Sequence, residues 1–158
     1  MKPFIYIFSI LFIVNFGFAQ DVEPDGSSVT TLVESRRFVF SAESASPLKG
    51  RTIFLSPGYS VIVRPDSVVS YLPYYGRSYQ ASMDPSDAGI KFTSTDFQFT
   101  EKTRKKGGWD ITIKPKDVQY SPQLYLTISP NGQASLRVIS SDKQSISFNG
   151  NIVKQQKP

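Results

Sequence analysis

The clearest structural pattern in the chain lies at residues 109–138, which read WDITIKPKDVQYSPQLYLTISPNGQASLRV. Apolar and polar side chains alternate through residues 109–113 and again through residues 124–128. A period of two is typical of a half-buried strand, because successive side chains point to opposite faces of the sheet. Residues 130–132, Pro-Asn-Gly, then form a short turn of the kind that joins antiparallel neighbours.

The same alternation extends over most of the chain. It is carried by Phe38, Phe40 and Ala42, by Tyr59, Val61 and Val63, by Ile90 and Phe92, by Phe97 and Phe99, and by Ile146 and Phe148. Residues 52–56 and 67–71 add strands, so we expect about eight to ten in all. Because open sheet edges invite aggregation, so many short antiparallel strands must close into a barrel or pair into two sheets. The sequence therefore predicts an all-β antiparallel fold, a closed or nearly closed barrel, with a β-sandwich as the alternative.

One short helix is predicted near the N-terminus. Ser27 or Ser28 would cap it, and Val29, Leu32 and Val33 form an apolar stripe at helical spacing.

The first residues have the pattern of a secretory signal peptide. Lys2 precedes an apolar run at residues 4–18, and Gly17 and Ala19 are the small residues that a signal peptidase needs before its cut. As a helix the run would reach about 22 Å, short of the ~30 Å hydrocarbon core of a bilayer. We therefore expect residues 1–19 to be removed, and a periplasmic or secreted protein with no membrane span after cleavage. Flexible ends at residues 20–28 and 153–158 would flank a single β-rich domain at residues 29–152.

The composition excludes several kinds of catalytic site. The chain contains no histidine and no cysteine, which removes Ser-His-Asp and Cys-His catalysis and the usual zinc and copper sites. We expect a protein that is not an enzyme and needs no cofactor or metal.

Carboxylates remain available for other chemistry. A hydrolase could use a pair from Asp66, Asp84, Asp87, Asp96, Glu101 and Asp110. Most of these stand beside turn residues, where aspartate is favoured for its local hydrogen bonds. Residues 84–89, DPSDAG, could offer oxygen ligands to Ca²⁺, but a plain turn is the simpler interpretation.

The basic run at residues 102–106 does not predict a nucleic-acid partner. Base stacking needs aromatic rings interleaved with the charges, and Trp109 alone stands nearby. A solvated hairpin tip is the preferred interpretation.

The candidate binding site is the tyrosine-rich segment, residues 71–79, which read YLPYYGRSY. We expect a ligand or partner to contact Tyr71, Tyr74, Tyr75, Arg77 and Tyr79 of this segment. We also expect it to contact Trp109, which begins a later predicted strand. Amphipathic rings suit the mouth of a barrel, where one edge meets water and the face meets a partner. The alternative is a lid that plugs the open end and completes the core.

Several runs resemble one known family. They are SRRFVF at residues 35–40, LPYYGR at 72–77, GIKF at 89–92, KKGGW at 105–109 and ISFNG at 146–150. They are similar to exported proteins of Bacteroidetes-type bacteria grouped as domain of unknown function 4251. The resemblance implies a lipocalin-like barrel and export, and it implies no activity and no catalytic residues.

The functional expectation is an exported, non-catalytic barrel that binds a small ligand or an envelope protein at the tyrosine-rich segment. A structural or interaction protein with a filled barrel is the alternative, and a carboxylate-pair hydrolase is the third. Large side chains such as Phe40, Phe92 and Phe148 are expected to point inward, which favours a filled interior.

Overall fold

The computed structural model describes residues 26–79 and 89–155. The predicted signal peptide, most of the predicted flexible N-terminus, and Asp84 and Asp87 lie outside the described residues.

The described chain forms one short helix and ten strands. They are α1 (Gly26–Glu34), β1 (Phe38–Pro47), β2 (Ile53–Phe54), β3 (Ser60–Val63), β4 (Val68–Leu72), β5 (Ile90–Ser94), β6 (Phe97–Thr103), β7 (Trp109–Pro115), β8 (Gln123–Ile128), β9 (Gln133–Ile139) and β10 (Ile146–Val153). The strand bounds follow the predicted alternation, and β10 includes Val153, which the sequence assigned to the tail.

The strands form a nearly closed barrel. Their order in the sheet is β5-β4-β3-β1-β10-β9-β8-β7-β6, with β2 paired to β1 beside this path. All of these pairings are antiparallel. The predicted all-β barrel is confirmed, and the sandwich alternative is not realised.

The two ends of the sheet belong to one continuous segment. β5 and β6 are separated by Thr95 and Asp96 alone and run in the same direction, β5 pairing with β4 and β6 with β7. They are therefore two halves of one bent strand. Counted in this way, eight strands surround the interior, a number at which side chains fill a barrel.

Asp117 joins the end of β7 to this bend. Its carboxylate accepts hydrogen bonds from the Ser94 hydroxyl, from Thr95 N at 2.8 Å and from Asp96 N at 3.1 Å. Lys116 N donates to Asp96 O at 2.8 Å. These bonds, that from Ser94 foremost, lower the pKa of Asp117 to about 2, because each of them favours the charged carboxylate.

The interior is occupied by one cluster of buried side chains drawn from α1 and from the barrel strands. The largest are Phe38, Phe40, Phe148, Leu72, Ile111, Ile113, Leu124, Ile128, Leu136, Ile146 and Ile152. These side chains occupy the interior, which is the arrangement that the large inward residues favoured.

The helix contributes to the same cluster. Val29 and Val33 are fully buried and Leu32 packs against the core, as the predicted stripe requires. The helix ends where Arg36 takes a left-handed conformation (φ 51°), with Arg36 N bonded to Val33 O and Arg37 N to Leu32 O. The Arg36 guanidinium then lies 4.5 Å from the centre of the Phe99 ring. Within the described part of the chain, no helix combines the length and the apolar character that crossing a membrane requires.

Candidate functional site

Four connections meet at one end of the barrel, which we call the loop end. Because neighbouring strands are antiparallel, the β1–β3, β4–β5, β7–β8 and β9–β10 connections all leave from this end. The tyrosine-rich segment begins at the end of β4 and runs into one of them.

Tyr74 fastens the tyrosine-rich segment across the loop end. Its hydroxyl lies 2.8 Å from Arg77 O and 3.0 Å from Gln144 O, and its single hydrogen is shared between these two carbonyls. Gln144 N in turn donates to Arg77 O at 3.0 Å, and Tyr79 N to Asp142 O at 2.7 Å. The pKa of Tyr74 is raised, chiefly because burial disfavours the phenolate. Tyr74 is thus held as part of the structure.

Lys143 strengthens the same attachment. Its Nζ lies 3.1 Å from the Asp142 carboxylate and donates to Gly89 O at 3.3 Å. It also lies 5.7 Å from the centre of the Tyr74 ring. The ammonium group therefore links the start of β5, the β9–β10 turn and the tyrosine-rich segment.

Neighbouring rings remain in contact with solvent. Tyr75 is 42% exposed and Tyr79 is 65% exposed, and the Arg77 side chain is exposed as well. The segment is therefore firmly attached through Tyr74 while it presents other side chains outward.

Tyr71 and Trp109, the other two residues predicted for the binding site, do not lie beside the exposed rings of Tyr75 and Tyr79. Tyr71 points outward from β4, where it stacks on Tyr59 with ring centres 5.7 Å apart and Lys91 Nζ lies 5.2 Å from its ring centre. Trp109 is 9% exposed, faces the core, and begins β7 at the opposite end of the barrel. The structure thus brings Tyr74, Tyr75, Arg77 and Tyr79 together and does not bring Trp109 to them.

Sequence reasoning missed Tyr120. Its ring is 39% exposed, and its backbone takes the left-handed conformation (φ 63°), as does that of Ser121 (φ 45°). Ser141 N and Ser141 Oγ each donate to Tyr120 O at 3.1 Å. A non-glycine residue held at positive φ is strained, and such residues are enriched at functional sites. The signal available in the sequence was a tyrosine directly before a Ser-Pro turn.

A small pocket lies beside Tyr120. Its volume is about 80 Å³, and its lining includes Phe92, Val118, Tyr120, Pro122, Asp142 and Lys143. It separates the start of β5 from the β7–β8 connection and is too small for anything larger than one side chain or a few waters. We call Tyr75, Tyr79 and Tyr120 the rim. Tyr79 and Tyr120 are hydrogen-bonded through their backbones to the β9–β10 turn, and Tyr75 lies four residues before Tyr79.

Two of the candidate carboxylates, Asp96 and Asp110, have local partners. Asp110 accepts from Thr127 Oγ1 at 2.9 Å and lies 3.7 Å from Arg104, while Asp96 lies 3.6 Å from Lys116. No cluster of three or more acidic, histidine or cysteine side chains suited to a metal ion occurs among residues 26–79 and 89–155.

Comparison with known proteins gives a family and a fold. The family model for the domain of unknown function DUF4251 matches residues 24–152. A crystal structure of a DUF4251 family protein from Bacteroides eggerthii superimposes with a TM-score of 0.62 at 13% identity, covering 84% of this chain and 89% of that one. No curated protein matches the sequence. At this identity the structural likeness concerns the fold.

Proposed function

The chain belongs to the family defined by domain of unknown function DUF4251, and on that premise we propose that it is an exported, non-catalytic interaction domain that binds a protein of the cell envelope at the rim. The observation that carries this proposal is the combination of exposed rings with a rigid support. The hydrogen bonds of the Tyr74 hydroxyl and of Tyr79 N hold the segment in place, so the backbone that carries Tyr75 and Tyr79 loses little further freedom when a partner binds. Pre-organised tyrosines of this kind are common contact residues in protein interfaces.

Further apolar side chains at the loop end support a protein partner. The β1–β3 connection leaves from this end and carries Phe54, 88% exposed, and Leu48, 61% exposed. Together with the rim they add apolar area to one end of the barrel. A surface of this character favours association with another protein.

The filled interior favours surface binding over a carrier function. The inward-facing side chains of β1, β7, β8 and β10 are almost all fully buried and belong to one cluster. A ligand inside the barrel would have to displace that packing. The second candidate is therefore a small ligand group, such as one side chain or headgroup, seated in the 80 Å³ pocket beside Tyr120.

Export is the part of the proposal that rests on the leader. A cleaved signal peptide at residues 1–19 would leave Gln20 as the first residue of the mature chain. Mass spectrometry of the protein isolated from a periplasmic or culture-medium fraction tests this. Recovery of the intact N-terminus, Met1 through Ala19, from the cytosol would contradict it.

Site-specific photocrosslinking tests the binding site. We expect Tyr79→p-benzoylphenylalanine, expressed in cells, to give a discrete protein adduct on illumination. Tyr125→p-benzoylphenylalanine is the matched control, because Tyr125 is a similarly exposed tyrosine (37%) on the outer wall of β8. The yield of the adduct at position 79 should fall at least about tenfold when Tyr75→Ala is added. A tenfold fall corresponds to the loss of one interface contact worth about 1.4 kcal/mol.

The outcomes separate the two main alternatives. Equal labelling at positions 79 and 125 would reject the rim as a specific contact surface. If no adduct forms and Tyr75→Ala with Tyr79→Ala lowers the melting temperature strongly, the rim is a structural plug. If Tyr120→Ala abolishes binding of a small molecule while the position-79 adduct is absent, the pocket is the binding site.

A further inference from the structure

A second surface, separate from the rim, lies on the outer wall of the barrel. It is a groove of about 380 Å³ that crosses β8, β9, β10 and the middle of β1. Pockets that bind small molecules begin at about 300 Å³, so the groove is large enough for a ligand. It approaches the β8–β9 turn, at the opposite end of the barrel from the tyrosine-rich segment.

Strand register arranges the polar side chains of the groove in two rows. Thr127, Ser135 and Asn149 lie side by side on β8, β9 and β10. Gln133 and Asn151 form the next row, beside Ser129, whose N donates to Gln133 O at 2.8 Å. Neighbours across the strands are about 4.8 Å apart, and same-face neighbours along a strand about 7 Å apart. These spacings suit a ring that carries hydroxyl groups on several sides.

A β-bulge adds a carboxylate to one side of the groove. Ala42 pairs with Gly150 and Ser44 with Asn149, so Glu43 is the extra residue on β1. Asn151 Nδ2 donates to Glu43 Oε1 at 2.7 Å and fixes the carboxylate in place. A carboxylate has about four acceptor positions, so Glu43 retains the capacity to accept from ligand hydroxyls.

Short side chains and bare backbone leave room in this open groove. Ala134 and Gly150 also line it, and Ser135 stands at its centre with a side chain of a single hydroxyl group. A larger side chain at position 135 would fill this space without entering the core, because Ser135 is exposed.

The chemistry of the lining selects the ligand class. The described residues that line the groove are amides, hydroxyls, small residues and one carboxylate, with no lysine or arginine among them. Anionic ligands such as phosphates would face Glu43 without a compensating cation, and lipids would find more polar than apolar surface. Hydroxyl and amide groups both donate and accept hydrogen bonds, as sugar hydroxyls do. We propose that the outer groove is a binding site for a neutral carbohydrate, one or two sugar residues of a glycan.

NMR titration with defined sugars tests the proposal. The probes are maltotriose, mannotriose and tri-N-acetylchitotriose, with trialanine as a peptide of similar size. We expect at least one sugar to shift the side-chain amide signals of Asn149, Asn151 and Gln133 in a saturable way, with a dissociation constant in the millimolar range or below. Trialanine should produce no such shift.

Variants distinguish the groove from the rest of the wall. Ser135→Tyr should weaken sugar binding by at least about tenfold. Glu43→Gln should weaken it by a smaller factor, because the glutamine side chain keeps the shape of the glutamate and loses only its charge. Lys114→Tyr, an outward and exposed position on β7, is the matched control and should bind as the unmodified chain does. Unchanged melting temperatures establish that each variant is folded.

Three results would overturn the proposal. These are no saturable shift with any of the sugars, equal binding to Ser135→Tyr, or equal binding of trialanine. The rim does not take part in this test, so its outcome is independent of the photocrosslinking result.

Discussion

The Asp117 carboxylate accepts a hydrogen bond from the Ser94 hydroxyl across the bend between β5 and β6. Ser94 is fully buried at the end of β5, one edge strand of the sheet. Asp117 follows β7, which pairs with the other edge strand, β6. A single side chain thus bridges the place where the sheet would otherwise be open.

Asp117→Asn is expected to lower the melting temperature at pH 7, because an amide cannot accept all of the bonds that the carboxylate receives from Ser94, Thr95 and Asp96. The control is Asp96→Asn, which removes an exposed ion pair with Lys116 and should have little effect. An equal loss in both variants would contradict the bridging role.

The same contact predicts a dependence on pH. The pKa of Asp117 is lowered from 3.8 to about 2 in the folded chain, so its contribution to stability is present above about pH 4. The contribution is lost as the pH falls through about 2. Thermal denaturation between pH 7 and pH 2 should therefore show the difference between the unmodified chain and Asp117→Asn shrinking toward zero. A constant difference over this range would contradict the prediction.

Tyr74→Phe is expected to cost about 1 kcal/mol of unfolding free energy, since the ring is kept and its hydrogen bond to Arg77 O or Gln144 O is lost. The raised pKa of Tyr74 means that its neutral form stabilises the fold, and this stabilisation is lost as the pH rises above about 10. Urea denaturation at pH 7 and pH 11 measures both effects. The phenylalanine variant should lose less stability at high pH, and a larger loss would contradict the assignment.

Gly150→Ala is expected to destabilise the barrel by about 3 kcal/mol. A Cβ at this position would collide with the Ser41 carbonyl on the neighbouring strand, and neither backbone can move without breaking β1–β10 pairing. Gly58→Ala is the comparison, since its Cβ would meet open space and only its positive φ of 115° opposes the change. Denaturant titration of both variants measures the difference, and a smaller loss at position 150 would show that the strands can separate there.

Arg36→Ala is expected to cost about 0.5–1 kcal/mol, because it removes the guanidinium from the Phe99 ring while keeping a side chain at positive φ. Arg36→Gly should recover most of this loss, since glycine adopts the left-handed conformation without strain. Thermal denaturation compares the two. If Arg36→Gly were the less stable variant, the helix terminus would not be strained.

The period-two alternation was sufficient to predict the strands and the barrel. The large inward residues favoured a filled interior, but the sequence did not decide between an open and a filled barrel. The alternation also marks the two places where the sheet is irregular, because its phase changes at each of them. Inward positions change from even numbers, ending at Ser94, to odd numbers, beginning at Phe97, and a similar change from Ala42 to Ala45 marks the bulge at Glu43. A change of phase reveals that a strand bends, but tertiary pairing decides what the bend joins.

The position of Trp109 depended on that bend. If β5 and β6 were two antiparallel strands, the β6–β7 hairpin would return to the loop end and Trp109 would lie near the tyrosine-rich segment. Since they run in the same direction, the hairpin lies at the opposite end. The contribution of Trp109 to binding stays a prediction, as does that of the other five site residues. The outer groove could not be predicted, because it depends on the register of four strands.

The pairing of β1 with β10 has a consequence for the order of events during synthesis. The first strand of the barrel finds one of its neighbours only in residues 146–153, which are synthesised after every other strand of the described barrel. Until then β1 has an open flank, and the cylinder cannot close however completely the intervening hairpins have formed. A chain without residues 146–153 would therefore leave both β1 and β9 with an unpaired flank.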